Sequence, residues 1–392
     1  KERVNSARVR PLSYKITPDC VGDTVTFSLS HPRNLSVEVN GDIFHNLHLF
    51  ANPIDKFRPS DKEIQRALKK KKGSNLIYFG PGVHNLPNDT LFVPSGTTVY
   101  IDGGARVYGN IFTEGAHDVN IFGRGEVHPD GRGAGVWVRR SKNVRIDGIV
   151  VSQLPIGQCD SVELTNVKSI SYYGWGDGMD VFSSSNVILD GVFCRNSDDC
   201  TAVYASTQGF KGGSNNVLVK NATLWADVAH PINIGGHGDP NGMDTVQNVT
   251  FRNIDILDQA EKQIDYQGCL AINPGDNTLV RNITFENIRI EDFRNGQLVN
   301  FRISFNPKYC VSTGRGIQNV LVKDVTYNGS GENLSIIAGY DENHKISGIR
   351  FVNLVVNGRK ITDDMPGKPK WYKTGDMAGI FIGEHVENIS FE

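Results

Sequence analysis

Apolar residues in this chain recur at every second position in short runs, and almost never at helical spacing. From about residue 75 onward, run follows run: NLIYFGPGVHNL, TLFVPSGTTVYID, ARVYGNIF, and then a unit that repeats. The unit is an Asn, an apolar–x–apolar run, a turn and a second run. It begins at Asn120, Asn143, Asn166, Asn186, Asn216, Asn248, Asn282 and Asn319, and continues as GIRFVNLVV at Gly348 and NISFE at Asn388. Period-two alternation predicts strands that bury one face. Self-similarity at about 20 residues early in the chain and over 30 later predicts a solenoid whose extra residues sit in loops. No helical pattern separates the strands, which excludes a βαβ sheet, and the internal repeat argues against a sandwich here. The chain is therefore expected to be all-β, with a right-handed parallel β-helix as its main body. Val, Ile, Leu and Phe should stack inside, and Asn side chains at one corner of successive coils should hydrogen-bond to one another.

Two stretches differ. Residues 1–55 hold short alternating runs (RVRPLSYKITP, DTVTFSLS, NLSVEVNG, NLHLFANP) broken by Pro, Gly and Asn, which predicts a small antiparallel β-sandwich-like unit. Residues 56–392 are then the β-helix. One helix is expected, over residues 60–72. Ser60 and Glu63 make a capping box, Ile64 and Leu68 an apolar stripe, and Lys69 to Lys72 before Gly73 place cations at the negative end of the dipole. A solenoid needs its ends covered, and this helix suits the N-terminal end. The lysine run reads as a solvated helix end.

Composition changes the picture in a few places. The formal net charge is −2 over 392 residues, which gives no reason to expect nucleic acid or an anionic membrane as partner. No apolar run approaches the roughly 20 residues of a membrane span. No signal segment is present, so a secreted, periplasmic or cell-surface location is an expectation from function only. The 42 glycines and the many asparagines suit tight turns. The six cysteines, Cys20, Cys159, Cys194, Cys200, Cys269 and Cys310, form no metal pattern. Cys194 and Cys200 are close enough to bridge, and buried thiols are the equal alternative. The N-x-S/T steps at Asn221, Asn248, Asn282 and Asn388 lie inside the repeat and read first as turn asparagines.

The chemistry concentrates in YGWGDGMDVFSSSNVILDGVFCRNSDDC, residues 173–200. It holds Asp177, Asp180, Asp198 and Asp199, with a strand-like run between in which Val187, Leu189 and Val192 face inward. Asp177 and Asp198 lie about 20 residues apart, roughly one coil, so the solenoid brings them to one face about 4.8 Å apart. Like-charged acids that close push one pKa up, so one keeps a proton while a neighbour stays ionised. Acid–base cleavage of a glycosidic bond needs that pairing. A turn role for the same residues is the plainer alternative.

GDGMD…NSDDC resembles the NTDGFD…QDDC signature of glycoside hydrolase family 28, the polygalacturonases. AHPINIGG, residues 229–236, resembles that family's GHGLSIGS and puts its histidine at His230 rather than in the literal GHG containing His237. The N-terminal 50 or so residues resemble the β-sandwich that precedes the β-helix in family 49, the dextranases and isopullulanase. Both families belong to one clan of inverting hydrolases that use no metal, so no metal or cofactor is expected. The resemblance implies Asp198 as general acid, Asp177 and Asp199 holding and deprotonating water, and His230 tuning the acid or touching the sugar. Acids one coil apart sit near the separation linked with retention; the resemblance implies inversion nonetheless.

Two departures bear on substrate. The family's Asn-Thr before the first Asp is Trp175-Gly176 here, and its R-I-K uronate clamp, expected near residues 262–272, is replaced by KQIDYQGCLAI. A neutral α-glycan such as dextran is therefore favoured over polygalacturonate. Lys262 and Arg302 are the cations available to substitute. Asp180, Trp175, Tyr204, His237 and Tyr266 are expected to contact a polysaccharide or oligosaccharide, with Tyr172 and Tyr173 nearby. Two other functions compete. A calcium-dependent polysaccharide lyase would use the four acids as ligands and Arg195 as the nearest base. A non-catalytic glycan-binding solenoid would use the scaffold alone. Loops 206–214, 235–244 and 305–316 set whether the groove is open or blocked.

Overall fold

The computed structural model describes residues 3–69, 73–129, 131–330 and 332–392. From Leu76 to Phe391 the strands pair in parallel with their counterparts one coil on, in a single right-handed parallel β-helix, apart from the antiparallel pair Leu354–Val356 with Arg359–Ile361. Its core is built of columns, one residue per coil. One runs Val119, Val144, Val162, Val187, Val217, Val249, Ile283, Val320, Ile349, Ile389. β-Branched side chains dominate because they pack well on a pleated, buried surface. Val187, Leu189 and Val192 face inward as expected.

The asparagine ladder forms, for a backbone reason. Asn143, Asn186, Asn216, Asn248, Asn282 and Asn319 all have φ between 54° and 57°, a left-handed conformation in which Asn is favoured among side-chain-bearing residues. Each corner turn then leaves an amide free to reach the coil below. Asn216 Nδ2 donates to Asn186 Oδ1 at 2.7 Å, and Asn282 Nδ2 to Asn248 Oδ1 at 3.2 Å. A second ladder runs through Asn221 and Asn253. The glycosylation-like asparagines at 221, 248 and 282 are thus engaged in the ladders.

The helix is shorter than expected, Asp61–Leu68, with the Ser60–Glu63 capping box in place. Ile64 is buried but Leu68 is exposed, so the apolar stripe is one residue wide. The helix packs on the first strand of the solenoid, Leu76–Phe79. Lys70 to Lys72 of the lysine run lie outside the described residues. All six cysteines are free thiols, Cys194 and Cys200 included.

The N-terminal stretch forms a three-stranded antiparallel sheet (Ala7–Arg10, Arg33–Val39, Asp42–Ala51) and a two-stranded hairpin (Asp19–Val21 with Thr24–Thr26). Val9, Leu35 and Val37 make its small core. The unit is locked to the solenoid by charge. Arg10 is buried, with Nε 2.7 Å from Glu291 Oε2 and Nη1 2.9 Å from Glu38 Oε1, and it also donates to the carbonyl of Leu257. Arg195 donates to Asn46 Oδ1 at 2.7 Å and to the Ile43 carbonyl at 2.9 Å, and pairs with Asp227 at 2.9 Å. A buried pair is costly to break because the survivor is left uncompensated. Arg10→Met, which strands Glu291 and leaves Glu38 to Arg8 alone, is expected to cost about 3–5 kcal/mol, read as a lowered denaturant midpoint. An unchanged midpoint would show that this network does not hold the unit in place.

Candidate active site

Four strands lie side by side on one face: Met179–Phe182, Thr201–Tyr204, Ile232–Gly235 and Leu270–Asn273. Their register pairs Asp180 with Ala202, Ala202 with Asn233, and Asn233 with Ala271. Counting back from the strand starts, Asp177, Asp199 and His230 occupy one position on three consecutive coils, with Asp198 one residue earlier. The turns bond directly to each other. Gly178 N donates to Asp199 O at 2.7 Å, and Cys200 N donates to His230 O at 2.9 Å. The glycines flanking Asp177 are required by this contact. A Cβ on Gly178 would lie 2.2 Å from the Cys200 carbonyl oxygen, and one on Gly176 would lie 2.4 Å from Ser197 Oγ. Asn196 Nδ2 holds the Asp177 carbonyl at 3.2 Å, and Ser197 Oγ donates to Tyr173 O at 2.5 Å.

The four acids are not equivalent. Asp199 accepts from His230 N at 3.0 Å and His230 Nδ1 at 2.7 Å on one oxygen, and from Tyr204 OH and Asn233 Nδ2, both at 2.8 Å, on the other. Burial alone would raise its pKa, but His230 and these donors outweigh burial and hold it below the ordinary carboxylate value. Asp198, its neighbour, is raised to about 7 by burial and then by the Asp199 charge. Asp177 is raised to about 8 by burial, then by Asp199 and Asp198. Asp180 is buried beneath Asp177, shares a hydrogen bond with it, and is pushed well above the ordinary value, first by burial and then by Asp177. Two carboxyl groups share a hydrogen bond only when one carries a proton.

These groups open into a cavity of about 280 Å³. Asp177, Asp198, Asp199, His230, Trp175, Tyr204, His237 and Tyr266 line it, as the sequence suggested. His230 and His237 both belong there. His230 grips Asp199, while the His237 ring meets Tyr204 edge-on at 5.1 Å and Tyr309 at 6.2 Å. Four expectations fail. Asp180 is buried and does not line the cavity. Lys262 is exposed and does not line the cavity. Arg302 also stays off the wall, because its Nη2 pairs with Asp265 Oδ1 at 2.5 Å. Tyr172 is exposed, and Tyr173 OH turns away to the Gly133 carbonyl at 2.6 Å. Asn233, Asn273 and Tyr309 are wall residues that sequence reading missed. Asn233 had a signal: His230-x-x-Asn233 repeats the spacing of Asp177-x-x-Asp180. Arg195 points to the N-terminal unit and not to this cavity. Among the described residues, no group of three or more His, Cys, Asp and Glu is arranged to hold a metal ion.

A right-handed parallel β-helix with stacked carboxyls in a cavity on one sheet places the chain in the pectin-lyase-like fold class. Within that class it belongs to glycosyl hydrolases family 28, whose profile matches residues 136–365. A polygalacturonase of Juniperus ashei is 26% identical over 295 residues, covering 67% of this chain and 54% of that protein. The chain spans about half the length of the curated relatives it matches. Among solved structures, Dex49A from Penicillium minioluteum superposes with a TM-score of 0.63 at 14% identity, over 99% of this chain and 79% of that one. A family 28 exopolygalacturonase from Yersinia enterocolitica gives 0.59 at 13% identity, over 94% and 85%. At such identities the superpositions show the fold alone, including a match that takes in the N-terminal unit.

The Asp177–Asp180 pair has a measurable consequence for folding. An acid with a raised folded pKa weakens folding as pH climbs from its ordinary value, 3.8 for Asp180, toward the folded one. Asp180→Asn carries no proton equilibrium, so its stability relative to the native chain should be higher at pH 8 than at pH 5. Melting both proteins across this range checks it; a pH-independent difference would mean Asp180 does not hold a proton.

Proposed function

We propose that the chain is an inverting glycoside hydrolase of pectic type, cleaving a galacturonan backbone by acid–base catalysis without a metal. One observation carries the chemistry. On adjacent residues, Asp198 keeps its proton up to about pH 7 while Asp199 is held ionised by four donors. Asp198 then protonates the departing glycosidic oxygen, and ionised Asp199 takes up the proton of a water that Asp177 helps orient. Tyr204, Asn233 and His230 keep Asp199 in place and charged. Family membership supports the reaction class, and the polygalacturonase name of the Juniperus ashei relative supports the substrate class. Lys308 supplies the cation that an acidic sugar needs. It lies in the loop beside Tyr309, with Nζ 4.8 Å from the Tyr309 ring and 5.8 Å from the Tyr266 ring. Action on polymeric glycans outside the cytosol is part of the same proposal.

A neutral α-glycan remains the second reading, on one observation. Among the described residues, the cavity wall carries four Asp side chains (Asp177, Asp198, Asp199, Asp265) and no Arg or Lys. Release of reducing ends from polygalacturonate, fully methyl-esterified galacturonan and dextran separates the two. Release from polygalacturonate is expected, and release from dextran alone would overturn the pectic reading and keep the acids. Asp198→Asn is expected to lose roughly 10²–10⁴-fold in kcat with an unchanged unfolding midpoint. The native rate should fall as pH rises through about 7, where Asp198 gives up its proton. Full activity in that variant would remove Asp198 from the mechanism.

Lys308→Ala should raise KM on polygalacturonate several-fold, and leave KM on the methyl ester, which lacks the charge, unchanged. Equal effects on both would mean Lys308 only supports the loop.

A further inference from the structure

The sheet that carries the acids continues for several coils before them, and its outward face there is aromatic. Phe92 pairs in register with Phe112, and Phe112 with Trp137. Since Val138 pairs with Ile156 and Ile156 with Val181, the same column runs on through Pro155 to Asp180. The rings are stacked: Phe92 on Phe112 at 5.4 Å, and Phe112 on Trp137 at 6.4 Å with planes 8° apart. Phe112 and Trp137 are half-buried, and Phe92 is 64% exposed. An outward apolar ladder three coils long has no role in a core it does not face.

The ladder is continuous with the cavity. Trp137 packs on the cluster of Phe182, Tyr204 and Phe210, of which Phe182 and Tyr204 are cavity walls. Phe210 stacks on Phe182 at 6.2 Å and lies over Gly157, where a Cβ would meet its ring at 2.3 Å. The strip is also cationic. Arg139 lies 5.7–5.8 Å from the rings of Trp137, Phe112 and Phe210, and Arg140 lies 5.0 Å from Phe210. Both arginines share the single carboxylate of Glu114, each at 3.0 Å, which leaves one net positive charge.

We propose that Phe92, Phe112 and Trp137 form a distal binding strip for further sugar units of the chain being cleaved, with Arg139 and Arg140 facing its acidic groups. Coils rise about 4.8 Å each, so the strip begins about 10 Å from the Asp180 coil and ends about 19 Å away. Pyranose faces stack on aromatic faces, and a flat ladder accepts successive units without demanding one register. The proposal rests on the glycan-hydrolase reading above.

The test compares polymer with a short oligosaccharide. Trp137→Ala and Phe92→Ser should each lower kcat/KM on polygalacturonate by about tenfold, or 1.4 kcal/mol. Both should leave kcat/KM on the trisaccharide unchanged, and Trp137→Tyr should restore most of the polymer value. Equal loss on both substrates, or loss on neither, overturns the strip. If the native chain cleaves no glycan, the hydrolase reading fails, and retardation in polygalacturonate gels decides the strip separately. Retardation that Phe92→Ser abolishes keeps it, whereas retardation equal in native and variant chains, or none at all, removes it. Concentration-dependent self-association lost in Phe92→Ser would instead assign this face to a second copy and overturn the proposal.

Discussion

Everything about this site depends on backbone-to-backbone stacking of turns from one coil to the next. The turn carrying Asp177 hydrogen-bonds to the turn carrying Asp198 and Asp199, which hydrogen-bonds to the turn carrying His230. Parallel pairing at about 4.8 Å leaves no freedom to separate like charges. The protein therefore lives with three acids that cannot all ionise, and the chemistry follows from how that conflict is resolved. Four donors fix the negative charge on Asp199. Burial and that fixed charge then raise Asp198 and Asp177. In the proposed mechanism Asp198 thereby keeps the proton a general acid needs, with no Arg or Lys among the described cavity-wall residues to draw it off.

Much of the fold was legible because the solenoid repeats its constraints. A left-handed corner favours Asn on every coil, so the ladder appears in the sequence as a period. The Gly-Asp-Gly step was legible for a similar reason, since close packing of the next coil leaves no room for a Cβ at Gly176 or Gly178. The capping box at Ser60 is local and was readable too. What escaped reading was pairing across long sequence distances. Arg10 reaches Glu291, 281 residues on, and Arg302 is neutralised by Asp265 from the coil before. A cation in a sequence carries no mark saying whether its partner is a substrate or a carboxylate of the same chain.

The N-terminal unit gains a purpose from these contacts. Asn46 and the Ile43 carbonyl hold Arg195, three residues before Asp198, and Arg195 pairs with Asp227, three residues before His230. The unit is thus clamped to the two strands whose ends lead to the acid and the histidine. Lys168, fully buried beside Asn52 and Phe50, repeats the pattern one coil earlier, and burial lowers its pKa to about 7. A solenoid is a one-dimensional stack in which each coil touches only its neighbours. A clamp across several coils adds cooperativity where the acids need fixed spacing.

The distribution of charge bears on what the site accepts. The cavity is acidic, and an anionic chain entering it meets repulsion that must be offset nearby. The positive groups on this face, Lys308 on one loop and the Arg139–Arg140 pair over the aromatic ladder, lie outside the acidic floor. A guanidinium directly beside Asp198 would favour its ionised form. On the pectic proposal, cations held outside the floor leave the proton on Asp198 while still drawing in an acidic polymer. That separation of proton retention from substrate attraction is the physical reason why a missing clamp motif does not by itself argue for a neutral substrate.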